Sequence, residues 1–366
     1  MSHLSNACLI AGLAIAGSAS AQSVTNDDPY AWLEDVQGEK SLDWVKARNA
    51  KSEAEIASSA EFKTLETQIR AILDSDAKIP GVQKIGDYYY NFWKDKQHER
   101  GIWRRTTLAE YRKADPKWET VIDLDALNVA ENSKWVWHGA DCLRPDYDRC
   151  LIALSPGGSD ADVTREFDMT SKTWVKNGFF RPEAKGGLGW IDKNTVYVYT
   201  DFGPGSLTSS GYPNIVKQWT RGTAMSSATT VYEGKPGDMY IAASHDDTPG
   251  YERDWVSRTL AFYNDEMYLR GKDGSLTRLD VPNSMQKSAF REWLYLRPRE
   301  DWKVGDKTYA AGSLLVANLD AFMAGKRDIE VLFAPTATTS LSDFTLTRDH
   351  LVLNVMEDVK NRLIVL

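Results

Sequence analysis

Cys142 and Cys150 are the side chains best placed to do chemistry. They flank Leu-Arg-Pro-Asp-Tyr-Asp-Arg, whose proline and aspartates favour a turn that brings its two ends together. In an oxidising compartment the thiols are expected to pair as a disulfide, which would stabilise the closed loop by about 2 to 3 kcal/mol. Two reduced, unconnected thiols remain the alternative reading. Neither cysteine has the partners of a nucleophile: His138 is near in sequence, but no Asn or Asp is recognisably placed to orient it.

A serine nucleophile on a strained strand-to-helix turn needs Gly-x-Ser-x-Gly, because only small neighbours fit there. The nearest approach is Gly157-Gly158-Ser159-Asp160-Ala161, which reads as an ordinary turn between strands. The histidines, His3, His98, His138, His245 and His350, are scattered, with no His-Glu-x-x-His or Cys-x-x-Cys spacing, so no metal site is expected. His245-Asp246-Asp247 reads as a solvated loop. The glycine clusters Gly186-Gly187-Leu188-Gly189 and Gly203-Pro204-Gly205-Ser206 complete no phosphate-binding pattern and read as hairpin turns. No cofactor is expected.

The elements that must position these residues change character along the chain. The apolar run from Cys8 to Ala16, followed by Ala19-Ser20-Ala21, reads as an export signal over residues 1–21, although its n-region has no Lys or Arg. The run is too short to anchor the chain in a bilayer. The mature protein is therefore expected in the periplasm or outside the cell. Residues 22–79 carry apolar positions at helical spacing, among them Trp44, Val45, Ile56, Phe62, Leu65, Ile69 and Ile72, and Pro80-Gly81 ends that pattern.

From residue 80 to 366 the period becomes two. Strands are expected at 88–93, 102–107, 135–138, 151–155, 196–200, 267–270, 276–279, 294–296, 314–317 and 351–355, with turns such as Lys272-Asp273-Gly274 between them. Some recur at about 50-residue intervals, the length of a four-stranded propeller blade. The 13 Trp and 16 Tyr suit half-buried sheets better than a helical bundle. With a net charge of −8 and 26% charged residues, the chain lacks the clustered cations that nucleic-acid binding requires.

Asp28-Pro29-Tyr30-Ala31-Trp32-Leu33-Glu34-Asp35, followed by Trp44-Val45 and Asn49, resembles the opening of the prolyl oligopeptidase family of serine peptidases. Gly86-Asp87-Tyr88-Tyr89-Tyr90-Asn91-Phe92 is similar to that family's first propeller strands. Ser155-Pro156-Gly157-Gly158-Ser159-Asp160-Ala161, Arg165-Glu166-Phe167-Asp168, Tyr212-Pro213 and Arg221-Gly222-Thr223 resemble a bacterial branch of it.

The resemblance implies a mainly β fold: a seven-bladed β-propeller, incomplete at its C-terminal end, preceded by a short helical segment. It implies a partner α/β-hydrolase domain carrying Ser, Asp and His, which this sequence lacks, and short proline-containing peptides as substrates. No residue here matches a triad position, so the chain alone is expected to be inactive and to gate substrate entry by size. A free-standing secreted propeller that binds peptide or protein is the competing expectation. In a propeller, Arg165-Glu166-Phe167-Asp168 would either form an ion pair between blades or face the central channel.

Overall fold

A computed structural model describes residues 28–366, and the expected export signal lies outside them. The chain divides into two compact units after Asp74. In the first, Asp28 accepts the Tyr30 N–H at 2.8 Å and a short 3-10 turn, Ala31–Glu34, follows; the long helix begins only at Glu39. That helix, Glu39–Ser52, runs through a π-turn at Glu53–Ala57. Ser59 then caps the helix Ala60–Leu73 by accepting the Phe62 N–H at 3.1 Å, which satisfies one of the unpaired amides of the first turn. Among the described residues, no helix is long and apolar enough to cross a membrane.

The second unit is a β-propeller built from antiparallel sheets. Their first strands begin at Gln83, Trp135, Gly187, Tyr240, Gln286 and Thr339, spacings of 46 to 53 residues that match the blade-length repeat. The described chain therefore holds six blades rather than the seven implied by resemblance, since that spacing leaves no room for another. The first five have at least four strands. The sixth, Thr339–Leu346, Leu351–Glu357 and Lys360–Val365, has three.

Each expected strand overlaps an observed one, and those at 102–107, 196–200 and 276–279 end one residue earlier than expected. A difference lies at the glycine cluster: Gly187–Asp192 is the first strand of the third blade, not a hairpin turn. The missing side chain explains it. A Cβ on Gly187 would lie 2.8 Å from the Tyr199 hydroxyl, so only glycine lets the Tyr199 ring lie against its strand partner.

Five apolar clusters hold the blades together, and each spans one pair of consecutive blades. The Trp255, Leu294, Leu296 and Leu315 cluster joins blades four and five, for example, and the Tyr295, Val316, Leu341 and Leu353 cluster joins five and six. Alternation along each strand sends one set of side chains to the preceding blade and the other to the following one. Blade order is thus written in the period-two pattern.

Candidate functional site

In a propeller the first strand of each blade lies nearest the central channel. Consistent with this, the first strands Gly187–Asp192 and Tyr240–Asp246 contact one another. The exposed residues on these inner strands are all polar and include His138, Asp141, Ser244, Gln286, Ser288 and Ser340. A hydrated channel wall follows.

His138 stands out on that wall. The register between Trp135–Cys142 and Arg149–Pro156 slips between Trp137 and Gly139, which makes His138 the extra residue of a β-bulge. Gly139, at φ +136, accommodates the kink. The bulge directs the His138 ring to Asp162, with Nδ1 3.2 Å from Oδ2. Asp162 is buried and also accepts from Arg181, whose side chain is 0% exposed. Arg181 donates further to Thr164 Oγ1 at 3.1 Å and to the Ala184 carbonyl at 2.8 Å. The ring is therefore oriented after all, by a residue 24 positions away. Glycine inside a strand pattern was the available signal for the bulge; nothing local pointed to Asp162.

Neighbouring groups are tuned by the protein packed around them. Desolvation raises the Asp141 carboxyl above its ordinary value, helped by the negative charge of Asp247. It likewise raises the hydroxyls of Tyr199 and Tyr240, whose rings meet edge to face at 5.9 Å. These tyrosines stay neutral hydrogen-bonding groups at physiological pH.

The expected solvated loop at 245–247 is instead the end of strand Tyr240–Asp246 and its turn, organised into three ion pairs. His245 Nδ1 lies 2.9 Å from Asp254, Asp246 lies 3.2 Å from Arg253, and Asp247 lies 3.4 Å from Arg144. No metal-binding group of carboxylate, cysteine and histidine side chains exists among the described residues.

The hydrogen bond that His245 donates to Asp254 raises the His245 pKa above 6.5, against the opposing effect of burial. The native state thus binds this proton more tightly than the unfolded chain. The resulting stabilisation is complete below about pH 6.5 and disappears as pH rises through the raised native value. His245→Gln is expected to cost more stability at about pH 5.5 than at about pH 9, measured by urea unfolding of both proteins at each pH.

The Arg165-Glu166-Phe167-Asp168 segment lies in strand Asp162–Asp168 and links blades rather than meeting the channel. Glu166 receives two hydrogen bonds from Arg221 of the third blade, at 2.7 and 3.0 Å. Arg165 pairs with Glu131 at 2.8 Å and lies 3.9 Å over the Trp174 ring. Ser159 sits in the turn after strand Arg149–Pro156, with no strand-to-helix context for a nucleophile.

Cys142 and Cys150 are opposite residues in adjacent strands and are joined by a disulfide. The loop they close, Leu143 to Arg149, carries Pro145, Asp146 and Tyr147. Cys142→Ser is expected to lower stability by about 2 to 3 kcal/mol under oxidising conditions. In excess dithiothreitol the two proteins should unfold at nearly the same denaturant concentration.

Comparison with known proteins gives this architecture its context. The family model for the prolyl oligopeptidase N-terminal β-propeller domain matches residues 18–252. An uncharacterized peptidase of Sinorhizobium fredii is 34% identical over 346 residues, covering 91% of this chain and 47% of its own length. One of Rickettsia prowazekii is 29% identical, covering 94% and 50%. The solved structure of a post-proline cleaving enzyme from Rickettsia typhi superposes with a TM-score of 0.84 at 30% identity, covering 91% of this chain and 51% of that one. The chain spans about half the length of the curated relatives it matches. With its blade repeat, inter-blade cores and extended family match, this chain belongs to the prolyl oligopeptidase family, through that family's N-terminal β-propeller domain.

Proposed function

We propose that this chain is the propeller-bearing portion of an exported serine peptidase that hydrolyses short peptides after proline. The observation that carries the reading is the close superposition of 91% of the chain on a post-proline cleaving enzyme. The propeller admits substrates through its polar channel and excludes folded proteins by size, while an α/β-hydrolase domain supplies the nucleophile, base and acid. The disulfide between Cys142 and Cys150 supports an oxidising, extracytoplasmic setting.

The helical unit supports the hydrolase partner. Phe62, Leu65, Ile69 and Ile72 recur on one face of helix Ala60–Leu73, and Leu65, Ile69 and Ile72 are 49%, 55% and 73% exposed. An apolar stripe of that kind is suited to cover by another domain.

Co-expression of this chain with the hydrolase portion of a close relative tests the reading. The purified complex should release chromophore from a prolyl p-nitroanilide, be blocked by a serine-directed inhibitor, and leave a folded protein substrate uncut. Neither half should turn over the substrate alone. A chain that stays monomeric, refuses the hydrolase portion and binds peptides without hydrolysis would favour a free-standing binding propeller instead.

A further inference from the structure

A cleft of about 740 Å3 opens between the first and second blades, lined by neither His138 nor Asp162. Its volume is within the range of about 300 to 1,000 Å3 typical of ligand pockets. Ile85, Tyr90 and Met169, all nearly buried, contribute apolar surface to it. Tyr88 lies on the first-blade side and Pro145 and Tyr147 on the second-blade side.

Both sides are deliberately held. Alternation along strand Tyr88–Trp93 puts Tyr88 and Tyr90 on one face and sends Tyr89 to the other, where it stacks on Tyr111. Arg105 lies 4.3 Å over the Tyr88 ring and donates to the Tyr90 hydroxyl at 3.2 Å. Its charge is already matched by Glu119, at 2.6 Å. On the opposite side Tyr147 adopts φ +53, a left-handed conformation that costs a residue with a side chain about 1 to 2 kcal/mol. There its ring packs against Gly86, where a Cβ would approach it to 3.3 Å. The disulfide joins the two strands at the base of the Tyr147 loop.

The charges in the cleft are uneven. Asp148 is engaged by Lys193 at 2.8 Å, and Arg105 by Glu119. Asp87 and Asp146 are exposed and have no ion-pair partner among the described residues, against one similarly free cation, Lys84. The cleft thus presents tyrosine rings, an apolar floor and a net negative rim.

We propose that this cleft docks an extended peptide segment in which prolines alternate with a lysine or arginine. Proline rings stack on tyrosine faces, and a polyproline II segment arrives already ordered and needs no sheet edge to pair with. The basic side chain reaches Asp87 and Asp146. The cleft is a recruiting site on the propeller, and its chemistry is independent of whether the parent enzyme cleaves after proline.

Fluorescence anisotropy of the purified chain with fluorescein-labelled Pro-Pro-Arg-Pro-Pro-Lys-Pro tests this, with a serine-directed inhibitor present so that hydrolysis does not enter. Saturable binding is expected. A peptide with alanine at every proline, and one with glutamate at both basic positions, should each bind about tenfold more weakly or worse. Tyr88→Ala and Tyr147→Ala should weaken binding by a similar factor, while Tyr88→Phe and Tyr147→Phe keep it, which separates lost stacking from lost folding. Asp87→Asn with Asp146→Asn should reduce the dependence on salt. Absence of saturable binding by folded wild-type chain, equal binding of the proline-free peptide, or undiminished binding by the folded alanine variants would overturn the proposal.

Discussion

Glu166→Ala is expected to destabilise the propeller by about 3 to 5 kcal/mol, the range for breaking one side of a buried ion pair. The Glu166 carboxylate is 1% exposed and concentrates several interactions on one point. It accepts two hydrogen bonds from Arg221 and one from the Phe179 N–H at 2.8 Å, and Arg149 approaches to 3.7 Å. Removing it leaves the Phe179 amide buried without an acceptor and Arg221 without its counter-charge. The Arg221 guanidinium also lies 4.4 Å over the Phe179 ring, within the apolar cluster that joins the second and third blades, so the loss falls on a seam rather than on one strand. Urea unfolding followed by tryptophan fluorescence measures the effect, as a lower midpoint with an unchanged slope. A loss below about 1 kcal/mol would place Glu166 among ordinary surface pairs.

That seam shows where sequence reading succeeds and where it stops. A charged tetrad around one aromatic residue admits two roles, at a seam or in a channel, and local sequence cannot choose. The answer depends on Arg221, 55 positions away. Central strands were legible because both faces are covered: Thr195–Tyr199 buries three of its five residues and Leu314–Asn318 four. Outer strands such as Thr229–Glu233 and Lys360–Val365 are largely exposed, and neither alternates apolar with polar residues, so their sequences carry no hydrophobic period. They exist because a neighbouring strand offers a ladder of hydrogen bonds.

The same reasoning covers the sites. The cysteine pair is eight residues apart across a turn-rich segment and can be read locally. His138 and Asp162, or Tyr88 and Tyr147, come together only through blade packing. Gly187 was misread because glycine signals a turn on average, whereas here the Tyr199 ring uses the space a side chain would fill.

Asp162→Ala is the second large effect, again expected to cost about 3 to 5 kcal/mol, because it strands a guanidinium that has no access to water. Arg181 is fully buried, and desolvation already lowers its pKa below the ordinary arginine value, with Asp162 opposing that shift. Without the aspartate, Thr164 and backbone carbonyls remain as acceptors, but no counter-charge does. Replacing the whole pair, Asp162→Ala with Arg181→Met, should recover part of the loss, since apolar replacements of buried ion pairs are often tolerated. The double-mutant cycle, read by urea unfolding, isolates that coupling.

His138 provides the readout that a purely structural pair would not move. Asp162 accepts from its Nδ1 and fixes which nitrogen faces the channel, so Asp162→Asn should release the ring even where the fold survives. In the NMR spectrum of the folded variant, the His138 ring nitrogens should shift toward a mixture of tautomers, while His245, held by its own aspartate, should not change. If the His138 signals stay in place, Asp162 serves Arg181 alone, and the bulge at His138 needs another explanation.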